Sequence, residues 1–106
     1  QYNINLPEYI ALQTVGGSVE VFGGSRGIIL FRSSPDEIKA FDRHCTFEPS
    51  NTCGLVSVDP NRFTATDNCC GSSFLLSTGD VSSPPAIFPL KEYTAIFSDP
   101  ILTVTN

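Results

Sequence analysis

Residues 55–66 read LVSVDPNRFTAT, in which two short alternating segments flank a turn. The turn consists of Asp59, Pro60 and Asn61, since proline presets its own φ and Asx side chains hydrogen-bond the nearby backbone. Apolar and polar residues alternate on either side, as in strands with one buried face. The stretch therefore predicts an antiparallel β-hairpin.

The same pattern continues along the rest of the chain. Further short alternating or apolar segments occur at 18–21, 28–31, 38–42, 74–76, 93–97 and 101–105. Turn signals every 8–12 residues or so are typical of an antiparallel all-β domain. Helical periodicity is nearly absent, and only residues 34–37 have capping-box spacing, enough for about one turn. The 106 residues predict a single domain, 1–106.

The four cysteines favour a disulfide framework and an oxidising compartment. If the hairpin centres on Asn61, paired residues have numbers that sum to about 122, which places Val56 opposite Thr66. The same count places Cys53 opposite Cys69, within the distance that a disulfide spans.

Cys70 then points to the other face of the strand, which leaves Cys45 as its partner. The predicted disulfides are therefore Cys53–Cys69 and Cys45–Cys70. A site with four thiolates for zinc or an iron–sulfur cluster stays open as the alternative, although paired C-x₂-C units are absent.

Composition excludes several classes of protein. The net charge of −5 and the six scattered basic residues argue against nucleic acid as a partner. The longest strongly apolar run, Ile28–Phe31, is far too short to span a membrane. The chain starts at Gln1 and shows no signal peptide, a start that removal of a leader would also produce. The pattern G-x-S-x-G at Gly23–Gly27 is predicted to be a turn, so a hydrolase has no supporting site.

Two segments resemble the cluster-binding boxes of Rieske iron–sulfur proteins, Cys-x-His and Cys-x-x-His-Gly-Ser-x-Phe. They are AFDRHCTF at 40–47 and DNCCGSSF at 67–74. Flanking motifs extend the resemblance over residues 15–105. It implies a Rieske-type (ISP-domain-like) antiparallel β-sandwich or barrel, in which residues 43–86 form a small cluster-binding-like subdomain.

The resemblance also assigns the four ligand positions, which are Cys45, Phe47, Asp67 and Cys70. A Rieske cluster needs two cysteines on one iron and two histidines on the other. Here a phenyl ring and a carboxylate replace two ligands, and the only histidine, His44, is outside the ligand positions. The resemblance therefore implies a degenerate site without a [2Fe–2S] cluster.

The expected function follows from this degenerate site. The domain resembles cluster-less Rieske-like domains of bacterial envelope lipoproteins. It would be cross-linked by disulfides, and either periplasmic or anchored to the outer membrane by an upstream lipid. Its role would be structural or binding, with an unknown protein or small molecule as partner. The alternative is an electron-transfer protein with a non-standard iron–sulfur or thiol/disulfide centre. No catalytic residue is predicted, and whether the protein is an enzyme stays open.

Overall fold

The computed structural model describes residues 1–23, 27–44, 46, 55–67 and 71–105. Over these residues the chain forms ten β-strands and one short 3₁₀ helix between β1 and β2. Their bounds are β1 Tyr2–Asn3, the 3₁₀ helix Pro7–Gln13, β2 Ser18–Val21, β3 Ile28–Ser34, β4 Glu37–Asp42, β5 Val56–Val58, β6 Thr64–Asp67, β7 Ser73–Leu75, β8 Val81–Ser83, β9 Glu92–Ser98 and β10 Ile101–Thr105.

The strands form two antiparallel sheets. The larger one has six strands in the order β1-β10-β9-β4-β3-β2 and curves into a half-barrel. The smaller one has four strands in the order β5-β6-β7-β8. The prediction of an antiparallel all-β domain is confirmed.

Strand β3 explains how the two sheets share a core. Ile28, Ile29, Leu30 and Phe31 are all buried, although successive side chains of a strand point to opposite faces. Ile29 and Phe31 therefore belong to one core cluster, which includes residues of the small sheet, and Ile28 and Leu30 belong to the other. The half-barrel is covered on both faces at this strand.

The two clusters are separate in space. The first joins the sheets and consists of Ile29, Phe31, Phe41, Val56, Ala65, Phe74, Leu76, Ala86 and Leu90. The second packs beneath the 3₁₀ helix and consists of Ile4, Leu12, Ile28, Leu30, Ile38, Ala40, Tyr93 and Leu102.

The predicted hairpin forms, but its register differs by one residue from the prediction. Val56 pairs with Asp67 and Val58 with Ala65, so the paired numbers sum to 123. The turn holds an even number of residues, because Arg62 adopts a left-handed conformation with φ 69°. The predicted pairing of Cys53 with Cys69 depended on a sum of about 122 and therefore loses its basis. Both cysteines lie outside the described residues.

Two local predictions also change. Residues 34–37 do not start a helix; Ser34 pairs with Glu37 across the turn between β3 and β4. The helical segment is instead Pro7–Gln13, with proline at its first turn, where the missing N–H costs nothing. Ser82 and Ser83 end β8, and PPAIFP at 84–89, the proline-rich segment, follows them. No helix among the described residues is long and apolar enough to cross a membrane.

Candidate functional site

The two box segments emerge at one end of the small sheet. Val56 at the start of β5 pairs with Asp67 at the end of β6, and Ser73 at the start of β7 pairs with Ser83 at the end of β8. Since the strands are antiparallel, the starts of β5 and β7 and the ends of β6 and β8 lie at the same end of the sheet. We call this the box end of the small sheet.

Asp67 lies on the core-facing side of the box end. Side-chain alternation puts it on the same face as Ala65, and its side chain is only 1% exposed. A carboxylate at this depth requires polar partners for its side-chain oxygens. In the backbone, the Asp67 N–H donates to the Ser72 carbonyl at 2.8 Å, and the backbone carbonyl of Asp67 accepts from the Gly71 N–H at 3.0 Å. Gly71 has φ 81°, which glycine adopts without a steric penalty. These bonds hold Gly71 and Ser72 against the end of β6.

Ser72 ties the second box to the proline-rich segment. Its side chain is fully buried, and its Oγ accepts a hydrogen bond of 2.9 Å from the Ala86 N–H. Ala86 follows Pro85, is itself buried and belongs to the core cluster between the sheets. The serine therefore satisfies a buried backbone donor that lies outside any strand.

Asp42 orients the first box. Its carboxylate is buried, with Oδ1 accepting from the His44 N–H at 2.8 Å and Oδ2 accepting from the Tyr93 hydroxyl at 2.5 Å. Burial, then the hydrogen bond to Asp42, then the charge of Asp42 raise the pKa of Tyr93 to about 12. The phenol is therefore protonated at neutral pH and serves as a donor.

Arg43 connects the two sheets through its backbone and its side chain. Its N–H donates to the Gly27 carbonyl and its own carbonyl accepts from the Val56 N–H, both at 2.9 Å. Its Nε donates to the Val56 carbonyl at 3.0 Å and its Nη2 to Ser57 Oγ at 3.3 Å. The same Nη2 lies 3.5 Å from Glu20 Oε2 on β2. One side chain thus fixes β5 against the half-barrel.

Thr46 makes a third link at the box end. Its Oγ1 donates to the Phe88 carbonyl at 2.6 Å. Phe88 and its neighbour Ile87 are exposed, by 62% and 79%. The segment after the prolines is therefore attached to the first box and presents two apolar side chains to solvent.

Comparison with known proteins identifies the architecture. No protein-family profile matches the chain, and no curated protein sequence matches it. The cyanobacterial plasma membrane Rieske protein from Synechocystis PCC 6803 superposes with a TM-score of 0.71 at 21% identity, covering 92% of this chain and 94% of that one. The chain has the Rieske fold.

Two further solved structures agree. One is a complex of reduced oxygenase and oxidized ferredoxin in carbazole 1,9a-dioxygenase, with a TM-score of 0.62 at 19% identity over 87% of this chain and 91% of that one. The other is the Sphingomonas yanoikuyae B1 ferredoxin, with a TM-score of 0.59 at 19% identity over 84% of both chains.

Only part of the predicted ligand set can be located on the Rieske fold. Asp67 lies at the box end as described, whereas Cys45, Phe47 and Cys70 fall outside the described residues, as do Cys53 and Cys69. His44 is half-buried and forms an isolated bridge with Leu55. Among the described residues no group of three His, Cys, Asp or Glu side chains could hold a metal ion. The ligand, disulfide and cofactor assignments remain predictions.

Sequence reasoning missed the residues that hold the box end together. Tyr93 lies 51 residues from Asp42, and Ala86 lies 14 residues from Ser72. No local pattern signals such bonds. The available signal was the presence of Asp42 within the first box, two residues before His44, where an Asx side chain commonly accepts from a nearby N–H.

Proposed function

We propose that this domain is a Rieske-fold module that has lost the [2Fe–2S] cluster, is stapled by disulfides and has a structural or binding role in the cell envelope. The observation that carries the proposal is the histidine count. A Rieske centre takes two histidines on one iron, and this sequence contains one. The standard ligand set cannot be assembled from these residues.

Asp67 supports the loss of the cluster. It occupies the position that the resemblance assigns to a ligand cysteine, and its carboxylate is buried at the end of β6. A carboxylate is a hard oxygen ligand, whereas iron–sulfur clusters are held by thiolates. The donor set does not fit the cluster, so no chemistry is assigned to it here.

The hydrogen bonds at the box end support this proposal, because they attach its loops to the rest of the fold through protein groups. Asp42 fixes the start of the first box, Ser72 fixes the second box to Ala86, and Thr46 fixes the first box to Phe88. Disulfides between the four cysteines would add the covalent constraint that the ligands supply in a Rieske protein.

The exposed pair of Ile87 and Phe88 favours a binding role. One similar structure is a complex of an oxygenase and a ferredoxin, so contact with a second protein is one documented use of this fold. The pair is adjacent to the Thr46–Phe88 link, and we propose it as the contact surface for a partner. An envelope location agrees with disulfides, which persist in oxidising compartments.

Metal analysis combined with thiol counting tests the proposal. The protein is purified without reductant, iron, zinc and acid-labile sulfide are measured, and free thiols are counted in denaturant. We expect no stoichiometric metal or sulfide, no visible absorbance and no free thiol. Stoichiometric iron with sulfide, or four free thiols, would support the alternative of a redox or metal centre and overturn the proposal.

Single cysteine variants test the pairing. In Cys53→Ser the freed thiol should map to Cys69 by alkylation and mass spectrometry, and in Cys45→Ser it should map to Cys70. A freed thiol at any other position would show that the predicted connectivity is wrong. Localisation is tested separately by expressing the full-length precursor and fractionating the cells.

A further inference from the structure

The two edge strands of the half-barrel leave a cleft between them. Tyr2 on β1 and Val19 and Val21 on β2 line the same cleft of about 310 Å³, with Tyr9 of the 3₁₀ helix at its side. All four side chains also pack on the second core cluster. The floor of the cleft is therefore the apolar interior of the half-barrel. The cleft is separate from the box end, which belongs to the small sheet.

Three aromatic rings surround this cleft. The rings of Tyr2 and Tyr9 have centroids 5.5 Å apart and meet edge to face at 76°. Phe22, which directly follows β2, lines the rim and is 99% exposed. Isolated exposed apolar side chains are ordinary, but a fully exposed phenyl ring beside two packed tyrosines extends an aromatic surface into solvent.

The charge at the cleft is negative. Glu8 and Glu20 both line it. Glu20 forms an ion pair with Arg43, in which Oε2 lies 3.5 Å from Nη2. No hydrogen bond or ion pair is found for the Glu8 carboxylate among the residues that the structure describes. Burial, followed by the charges of Glu8 and Tyr2, raises the pKa of the Tyr9 phenol above its usual value. The aromatic surface thus lies in a field that favours cations.

We propose that this cleft binds an organic cation of the quaternary ammonium class. Aromatic faces attract cations electrostatically, and aromatic cages commonly recognise quaternary ammonium groups. A primary ammonium would lose hydrogen bonds to water on entering a cleft floored by valines and rings, whereas a methylated ammonium has none to lose. The volume is near the lower end of the range of roughly 300–1,000 Å³ for small-molecule sites.

An NMR titration with choline chloride tests the proposal. Its matched control is the uncharged analogue of choline in which a tert-butyl group replaces the trimethylammonium, at the same ionic strength. We expect saturable shifts confined to the cleft residues, with choline binding about tenfold more tightly than its analogue. Equal binding of both compounds, or no saturable binding of choline, would overturn the proposal.

Four variants locate the site. Phe22→Ala and Glu8→Gln should each weaken choline binding about fivefold, and both side chains are exposed, so the fold should tolerate the changes. Phe63→Ala and Glu37→Gln remove an exposed ring and an exposed charge elsewhere and should leave binding unchanged. Choline affinity that is unaffected by both cleft variants would overturn the assignment.

An experiment with vesicles distinguishes a lipid headgroup from a soluble cation as the ligand. Sedimentation with phosphatidylcholine vesicles, but not with phosphatidylglycerol vesicles, would identify a lipid headgroup as the ligand. Choline binding without sedimentation would identify a soluble cation. Either result supports the cleft as a quaternary ammonium site.

Discussion

The six-stranded and four-stranded sheets are held by different kinds of interaction. In the large sheet β3 and β9 are seven residues long, and β3 buries apolar side chains on both faces. In the small sheet the strands span three or four residues within the part of the chain that the structure describes. Its box end depends on hydrogen bonds that Arg43 and Thr46 donate to distant carbonyl groups and on one that Ser72 accepts from the Ala86 N–H.

The half-barrel thus depends mainly on apolar burial, whereas the shape of the box end depends on hydrogen bonds. Apolar burial is non-directional, so the half-barrel tolerates many sequences that keep its pattern. Hydrogen bonds between distant residues depend on particular side chains, and each one fixes a particular loop. The box end can therefore change its chemistry while the half-barrel persists.

The largest expected effect concerns the core cluster that the two sheets share. Phe74 is fully buried on β7 and shares its core cluster with Phe41 of the large sheet. Phe74→Ala should reduce the free energy of unfolding by about 3–5 kcal/mol, measured by urea denaturation followed by circular dichroism. Because the cluster is shared, we expect one cooperative transition.

A matched control is available on the preceding hairpin. Phe63 is 68% exposed, and Phe63→Ala should change stability by less than about 0.5 kcal/mol. Two separate transitions in Phe74→Ala would contradict the shared core and show that the small sheet unfolds independently.

A smaller effect is expected at the link between the sheets. Arg43→Lys keeps the positive charge but removes the planar group that bonds the Val56 carbonyl and Ser57 together. The expected loss is about 1.5–3 kcal/mol, as for hydrogen bonds to charged groups. Glu20→Gln removes only the partly exposed ion pair and should cost less than about 1 kcal/mol. A larger loss in Glu20→Gln than in Arg43→Lys would show that charge, not geometry, fixes the sheets.

The same contrast explains how far the sequence predicted the structure. The apolar run at Ile28–Phe31 and the alternation at 93–97 gave β3 and β9, because burial leaves a local pattern. The strands β1 and β8 were missed. The two residues of β1 form a strand only through pairing with β10 at the other end of the chain. The three residues of β8, Val-Ser-Ser, carry too little apolar alternation to signal a strand. The hairpin register was wrong by one residue, because no pattern showed that Arg62 would adopt a left-handed conformation.

The site was less predictable than the fold. The resemblance brought Asp67 and the Gly71-Ser72 pair to attention, and the structure places them at the box end. It gave no indication that Ser72 would accept from Ala86, because that contact depends on how the proline-rich segment packs. The cleft between β1 and β2 was also missed. Its residues all lie within residues 2–22, but β1 and β2 are the two opposite edges of the six-stranded sheet, and only the curvature of the half-barrel brings those edges together.

A local effect is expected at Ser72. Ser72→Ala removes the acceptor for the buried Ala86 N–H and should cost on the order of 1 kcal/mol. The sharper readout is hydrogen exchange at the Ala86 amide by NMR, where protection should fall while amides of β3 keep theirs. Ser83→Ala, at an exposed position nearby, is the control. Unchanged protection of Ala86 would show that Ser72 does not secure the proline-rich segment.

The most specific effect concerns the protonation of Tyr93. Its pKa is raised from 10.0 to about 12 in the folded protein. Below pH 10 the phenol is protonated in both the folded and the unfolded states, so its contribution to stability is fully present. Between pH 10 and about 12 the unfolded chain releases this proton while the folded chain retains it, so stability falls as the pH rises.

Tyr93→Phe removes this titration. Urea denaturation across that pH window should therefore show a shallower loss of stability in Tyr93→Phe than in the unmodified protein, and the difference between the two curves isolates Tyr93 from the other titrating groups. Asp42→Asn should reduce the difference without abolishing it, because burial is the largest cause of the raised pKa and the charge of Asp42 a smaller one. Parallel curves for Tyr93→Phe and the unmodified protein would mean that the phenol is not held protonated against Asp42, and that the first box is oriented by other contacts.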